Sequence, residues 1–486
     1  MLRGLSLIAL SVVLNMAACA QTPTISNHSK ISNNHADRVI ILTDIEADPD
    51  DTQSLVRLLL YANQIDIEGL IATTSVHQKN RIAPETIQKV IHAYDQVHEN
   101  LEKHETGYPT ASALMELIKN GQPSYGMEAI GEGKDTEGSD WIIQALKKDD
   151  DRPLWISVWG GPNTLAQALL TIKSTHSAQE TKRLVEKLRV YTISDQDDSA
   201  IWIRRNFPDL FYIVSPGGYS ASTWGAINQT FERIENDTIS NQWFADNIQQ
   251  GHGPLGAIYP DVAYGVEGDT PAFLSLIPNG LNESEKPNWG GWGGRYELYR
   301  PKLADLDPNG FTGGVPVEEE PRPIWTNAID KMALWEKPTH GRADVMTEEF
   351  VSGNRITLAR WREEFQNDFA ARMDWTTKSY DEANHPPVPV LSHPTQITAK
   401  SGDTITLDAS SSTDPDGDSL SFVWFHYPEA GTFEGVIPVG TENLYTKHIQ
   451  LPEVEKTETA HFILKVTDKG SPALTRYKRV IVTIEP

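Results

Sequence analysis

VIILTDIEADPDDTQSLVRLLL, residues 39–60, decides how the rest of the chain is read. It opens with Val39 to Thr43, five residues suited to a buried strand. Asp44, Glu46, Asp48, Asp50 and Asp51 then fall within eight positions. Leu55, Val56, Leu58 and Leu59 follow at helical spacing. A strand that passes through an acidic turn into a helix places its carboxylates at the C-terminal edge of a sheet. Open α/β sheets bind ligands at that edge. Like charges on one turn repel unless a cation sits among them, and hard oxygen ligands suit Ca²⁺ or Mg²⁺. An acidic run can also be a solvated loop; the flanking strand and helix argue against that here.

Outward from this stretch, strand and helix patterns alternate. Asp66–Thr73, Leu154–Trp159, Leu188–Ser194 and Leu210–Ser215 read as strands. Arg81–Leu101, Ser139–Lys147, Asn163–Ile172 and Trp202–Phe207 read as helices. Alternation of this kind predicts βαβ units and a mostly parallel sheet. LWISVW, residues 154–159, is apolar throughout, as in a strand covered on both faces. From Pro216 to Pro323 the chain is rich in Gly, Trp and Pro and less regular, as in functional loops. Thr326–Trp335 and Ile356–Trp375 read as helices. Beyond Ala383-Asn384-His385-Pro386-Pro387 come short alternating segments separated by turns such as Asp414–Asp418, the pattern of an immunoglobulin-like β-sandwich.

The chain has 486 residues, too many for one ordinary domain. Its net charge is −25, from 67 acidic and 42 basic residues. That leaves no basic footprint for nucleic acid or an anionic membrane. The N-terminus reads MLRGLSLIALSVVLNMAACAQTP, an export signal too short to span a bilayer. Met16-Ala17-Ala18-Cys19 resembles a bacterial lipobox, which would lipidate Cys19, the single cysteine, and anchor the chain at the membrane. Ordinary cleavage near Ala20 is the alternative. The expected organisation is a signal over 1–19, a polar tether over 20–37, an α/β domain over 38–383 and a β-sandwich over 384–486. An exported protein, periplasmic or on the cell surface, follows.

The acidic turn resembles the metal-binding signature of the nucleoside hydrolases. Asp44, Asp50 and Asp51 match it, whereas Glu46 stands where that family has aspartate and Asp48 where it has glycine. Together with WGGPNTLAQAL (159–169), ISDQDDS (193–199) and GHGPLGAIYPD (251–261), the chain resembles a narrower bacterial family. That family is described as cellulose-binding proteins with a nucleoside-hydrolase-like domain and a C-terminal β-domain.

The resemblance implies a Ca²⁺ ion held by Asp44, Glu46 and Asp51, by the backbone carbonyl of Trp159 and by a distant aspartate. Asp269 in EGDTPAF fits that last role; Gly253 stands in the competing position, and a helix N-cap is the alternative reading of Asp269. Asp50 would face sugar hydroxyls, and Glu46 and Asp50 are the catalytic candidates. Asn163, Asp197, Asp198 and His252 are candidate ligand contacts. Caps, solvated turns or a structural histidine are the alternatives for the last three. Trp289 and Trp292, in a glycine-rich segment, could stack on sugars or pack over the domain edge. Two functions are therefore expected: a metal-dependent hydrolase of N-glycosyl bonds or a related glycoside, or a non-catalytic carbohydrate-binding protein. The ligand would be a nucleoside or carbohydrate.

Overall fold

A computed structural model describes residues 36–216, 224–232, 234–306, 315–336, 345–440 and 442–486. The expected signal, Cys19 and all but the last two residues of the expected tether lie outside them.

β1 (Arg38–Thr43) is buried along its whole length. Its side chains alternate as a pleated strand requires. Val39 and Ile41 pack on one face with α1 (Asp50–Leu59) and α2 (Pro84–His104). Ile40 and Leu42 pack on the other face with helices introduced below.

β2 (Asp66–Ala72) pairs in parallel with one side of β1. Beyond it, α3 (Ala111–Glu116) leads into the edge strand β3 (Ile118–Asn120). The chain then returns through α4 (Glu137–Lys147) to β4 (Leu154–Val158), on the opposite side of β1. α5 (Asn163–Thr175), α6 (Ala178–Glu186), β5 (Leu188–Thr192), α7 (Ser199–Asn206) and β6 (Phe211–Val214) continue outward. α4, α5, α6 and α7 supply the core on the Ile40 and Leu42 face. β7 (Tyr296–Tyr299) and β8 (Ile324–Asn327) complete an eight-stranded sheet of order β3-β2-β1-β4-β5-β6-β8-β7, antiparallel only between β7 and β8. Because the chain leaves β1 in one direction and resumes on its other side, a crevice opens between the C-terminal ends of β1 and β4. This is where such sheets take ligands.

The helix expected over Thr326–Trp335 is not formed. β8 and β9 (Asp330–Glu336) occupy that stretch. β8 fills the slot between β6 and β7, and β9 pairs with β10 (Val345–Gly353). Backbone pairing in the tertiary structure outweighs the local helical spacing there. The expected helix over Ile356–Trp375 forms as two pieces, Ile356–Ala359 and Arg362–Asp374.

The C-terminal strands are β11 (Gln396–Lys400), β12 (Thr404–Asp408), β13 (Ser421–His426), β14 (Thr446–Gln450), β15 (Glu458–Thr467) and β16 (Thr475–Glu485). They form a four-stranded sheet, β11-β16-β15-β13, and a two-stranded one, β12-β14, around their own core.

This β-domain is joined to the α/β domain by buried contacts. Tyr427, Ala430, Ile463 and Tyr477 belong to the larger domain's core. Tyr427 Oη donates to Asp330 Oδ2 at 2.6 Å, and Arg295 and Arg360 pair with the same carboxylate. Arg479 donates to the carbonyls of Leu281 and Gly290.

Candidate functional site

The crevice at the end of β1 holds a cavity of about 430 Å³. Asp44, Ala47, Asp48, Asp50, Asp51, His77, Trp159, Ile193, Gln196, Trp224, Tyr264 and Asp269 line it. Five are aspartates. Asp44, Asp50, Asp51 and Asp269 are buried and Asp48 is partly so. Ligand oxygens of Asp48, Asp50 and Asp51 lie within 4.8 Å of one another.

Local chemistry builds this cluster. Asp44 follows the last residue of β1. Asp50 and Asp51 are the first two residues of α1, where the helix dipole favours negative charge. Thr43 Oγ1 donates to Asp51 Oδ1 and accepts from Ile45 N, tying strand end to helix start. Asp48 Oδ1 accepts from Asp50 N at 3.2 Å. Gln78 Nε2 donates to the carbonyls of both Asp44 and Ile45.

The loop that carries Asp269 is clipped to α1. Gln53 Oε1 accepts from Glu267 N, Thr270 donates to Ser54, and Arg57 pairs with Glu267 at 2.6 Å. Asp269 precedes the short helix Pro271–Leu274, yet no side chain caps that helix. Two glycines allow close approach. A Cβ on Gly160 would stand 2.5 Å from Asp44 Oδ1, and one on Gly268 would stand 2.4 Å from Asp50 Oδ2.

Burial pushes these carboxyls up. Asp44 rises to about 6, through burial first and the nearby Asp48 charge next. Asp50, Asp51 and Asp269 lie well above the usual range, through burial and mutual repulsion. Asp44 Oδ2 and Asp269 Oδ2 are buried with no hydrogen-bond partner. An unsatisfied acid oxygen is costly away from water. All-oxygen donors with surplus negative charge fit a hard divalent cation such as Ca²⁺ or Mg²⁺.

Several sequence expectations change. Glu46 does not line the cavity. Its backbone takes φ +79°, and its carboxylate accepts from Arg81 and Thr86 instead. The turn inverts at this residue, so Asp48 reaches the cavity in its stead. The Trp159 carbonyl accepts from Gln196 Nε2, which leaves one lone pair for another partner.

Asn163, Asp197 and Asp198 lie outside the lining. Asn163 Nδ2 bonds Thr74 and Ser124, and Asp197 accepts from Ser199 and from Asn163 N, supporting the starts of α5 and α7. Asp198 accepts from Met127 N, across the close approach of Gly126. His252 Nε2 meets Asp374 Oδ1 at 3.1 Å and is structural. Trp292 is fully buried against Phe365 and Tyr477, and Trp289 packs edge-on to His461 of the β-domain. Trp292 therefore has no free face for a sugar, and Trp289, partly buried, lies against the β-domain and not in the lining of the cavity.

Sequence reading missed His77, Gln196, Trp224 and Tyr264. Gln196 sits inside the ISDQDDS motif and was within reach. Tyr264 is 80% exposed at the cavity, and no local pattern distinguishes it from an ordinary loop residue.

Comparison with known proteins agrees with this architecture. Residues 38–296 match the family described as cellulose-binding Sde182, nucleoside hydrolase-like domain. The chain belongs to this family. Residues 404–484 match the C-terminal domain of cellulose-binding protein Sde0182. A solved structure from Saccharophagus degradans, described as a nucleoside hydrolase-related hypothetical protein associated with carbohydrate metabolism, is 35% identical. The match covers 93% of this chain and 100% of that one, with a TM-score of 0.75. The Sde182 family thus combines the nucleoside-hydrolase-like α/β fold with a C-terminal β-domain. No curated protein matches the chain.

Proposed function

We propose that the cavity is a divalent-cation site that binds sugar hydroxyls and hydrolyses an N-glycosyl or related glycosidic bond. One observation carries the reading: Asp44 Oδ2 and Asp269 Oδ2 are buried in a sizeable cavity without partners. Asp44, Asp51 and Asp269 are the residues that would hold the ion. A bound cation of this class would lower the pKa of an attached water and so supply a nucleophile near neutral pH. Asp50 binds sugar hydroxyls as a charged acceptor. Asp48, at the cavity wall, replaces Glu46 as the general-base candidate, because a base must reach the water whose proton it takes. Among the described residues no Lys or Arg lines the cavity, so phosphorylated ligands are disfavoured and neutral glycosides favoured. Trp224 and Tyr264 offer aromatic surface to a sugar face or a base.

A second reading, carbohydrate binding without turnover, is supported by the outward Glu46 and by the family's description. One experiment separates the two. The full chain is titrated with Ca²⁺, then incubated with nucleosides and neutral glycosides while released base and reducing sugar are assayed. Release by wild type that Asp51→Asn abolishes is expected. Sugar binding without release would overturn hydrolysis in favour of the second reading. Neither cation binding nor sugar binding would overturn both.

A further inference from the structure

Two histidines face each other at the junction of the two domains, among residues that do not line the cavity. His104 is the last residue of α2, and His385 lies in the segment entering the β-domain. Both rings are buried. His104 stacks on Trp375 at 5.3 Å with planes 1° apart, and His385 stacks on Tyr380 at 3.8 Å. The stacking holds each ring's plane and directs its nitrogens along one line.

That line contains three contacts. His385 Nδ1 lies 3.0 Å from Asp416 Oδ1. His385 Nε2 lies 2.9 Å from His104 Nδ1. His104 Nε2 lies 3.0 Å from the Lys378 carbonyl oxygen. With Asp416 ionised, both ends of the line, a carboxylate and a carbonyl, only accept. Each of the three contacts needs one N–H, whereas two neutral imidazoles carry two between them. The count closes only with a third proton.

We infer that the His104–His385 pair holds three protons and one net positive charge, paired with Asp416, as a pH-sensitive latch between the α/β domain and the β-domain. The charge resides on His385, which donates to Asp416 through Nδ1 and to His104 through Nε2. His104 is neutral and donates through Nε2 to Lys378. Burial, the largest cause, and the neighbouring His385 charge both push the His104 pKa down, in keeping with this assignment.

The surrounding charges favour a cation. Glu105, Lys103 and Lys378 flank His104, with Arg372 and Arg476 acting on Glu105. Asp381, Asp414 and Asp416 act on Tyr380 beside His385, and Asp418 and Asp468 act on Asp414. Acid predominates on the His385 side.

The sign follows from linkage. The third proton completes the line of contacts, so the folded pair holds it more tightly than the unfolded chain does. The latch is therefore complete at low pH and is weakened as rising pH removes that proton. Without it one of the three contacts sets acceptor against acceptor.

The test is imidazole ¹⁵N NMR on the ¹⁵N-histidine-labelled full chain, with thermal melts from pH 6 to 9. At pH 7 one buried histidine is expected to have both ring nitrogens protonated and to lose one of those protons as pH rises; His385→Asn removes that signal. The melting difference between wild type and Asp416→Asn should shrink as pH rises. Two singly protonated rings at pH 7 in the wild-type spectrum would overturn the inference even if neither variant folds. A melting difference independent of pH would overturn the latch.

Discussion

Arg81 Nη1 stands 2.6 Å from Glu46 Oε2, and Thr86 donates to the other oxygen of the same carboxylate. The acidic turn therefore spends one of its five acids on bracing itself. Arg81 also reaches Gln78, whose amide holds the Asp44 and Ile45 carbonyls. Glu46 thus acts on the turn and not on the cavity.

Replacement of Glu46 should be mild. Glu46→Gly relieves a left-handed backbone worth about 1–2 kcal/mol. It forfeits a surface ion pair worth about 0–1 kcal/mol and adds chain entropy of about 0.5–1 kcal/mol. These nearly cancel. Calorimetric Ca²⁺ affinity should change by less than about threefold, whereas Asp51→Asn should weaken it by at least about tenfold. Equal losses in the two variants would return Glu46 to the site.

Gly160→Ala should be severe for its size. The new methyl would stand 2.5 Å from Asp44 Oδ1 and 2.7 Å from its Cγ. Relief requires moving a buried carboxylate, a cost of about 1–3 kcal/mol typical of overpacking. A lower melting temperature together with at least about tenfold weaker cation binding is expected. Unchanged binding would show that Asp44 is dispensable.

Metal-free protein should lose stability as pH rises. Burial pushes the folded Asp44 carboxyl up to about 6, above the ordinary aspartate value of 3.8. A raised folded value gives stability that is complete below 3.8 and is lost as pH passes 6. Melts in chelator should therefore decline between about pH 4 and 7. Excess Ca²⁺ should reverse that trend, because the ion binds the ionised acids of the folded state. Parallel curves with and without Ca²⁺ would count against a cation at this cluster.

Two tryptophans should separate packing from recognition. Trp292→Ala empties a core position and should cost about 3–5 kcal/mol. Trp224→Ala should lower the melting temperature less, since Trp224 is only partly buried, and should reduce glycan retention on affinity gels. Retention that follows Trp292 and ignores Trp224 would relocate the aromatic surface.

Removal of residues 384–486 should not yield a soluble α/β domain. Trp292 and Trp361 pack on Tyr477, and Tyr427 donates to Asp330, which also pairs with Arg295 and Arg360. Truncation exposes those rings and removes a donor from a buried charge. Aggregation in gel filtration is expected; a monomeric, cooperatively melting fragment would contradict the shared core.

The sequence by itself determined the strand, acidic turn and helix of residues 39–60, because apolar periodicity and charge spacing are local properties. It also determined the parallel α/β order and the succession of short strands beyond Pro387. Asp44, Asp50, Asp51, Trp159 and Asp269 were legible as one group through family likeness. Only the tertiary structure decided which acid faces inward. The inverted backbone at Glu46 and its capture by Arg81 depend on α2 and the loop before it, residues remote from the turn. Only long-range pairing decided that Ile324–Asn327 and Asp330–Glu336 are strands, the first between β6 and β7 and the second against β10. The β-domain's burial of Trp292 and the His104–His385–Asp416 line join residues up to 281 positions apart, and no local pattern encodes such contacts. Composition supplied the carboxylates; packing fixed their direction.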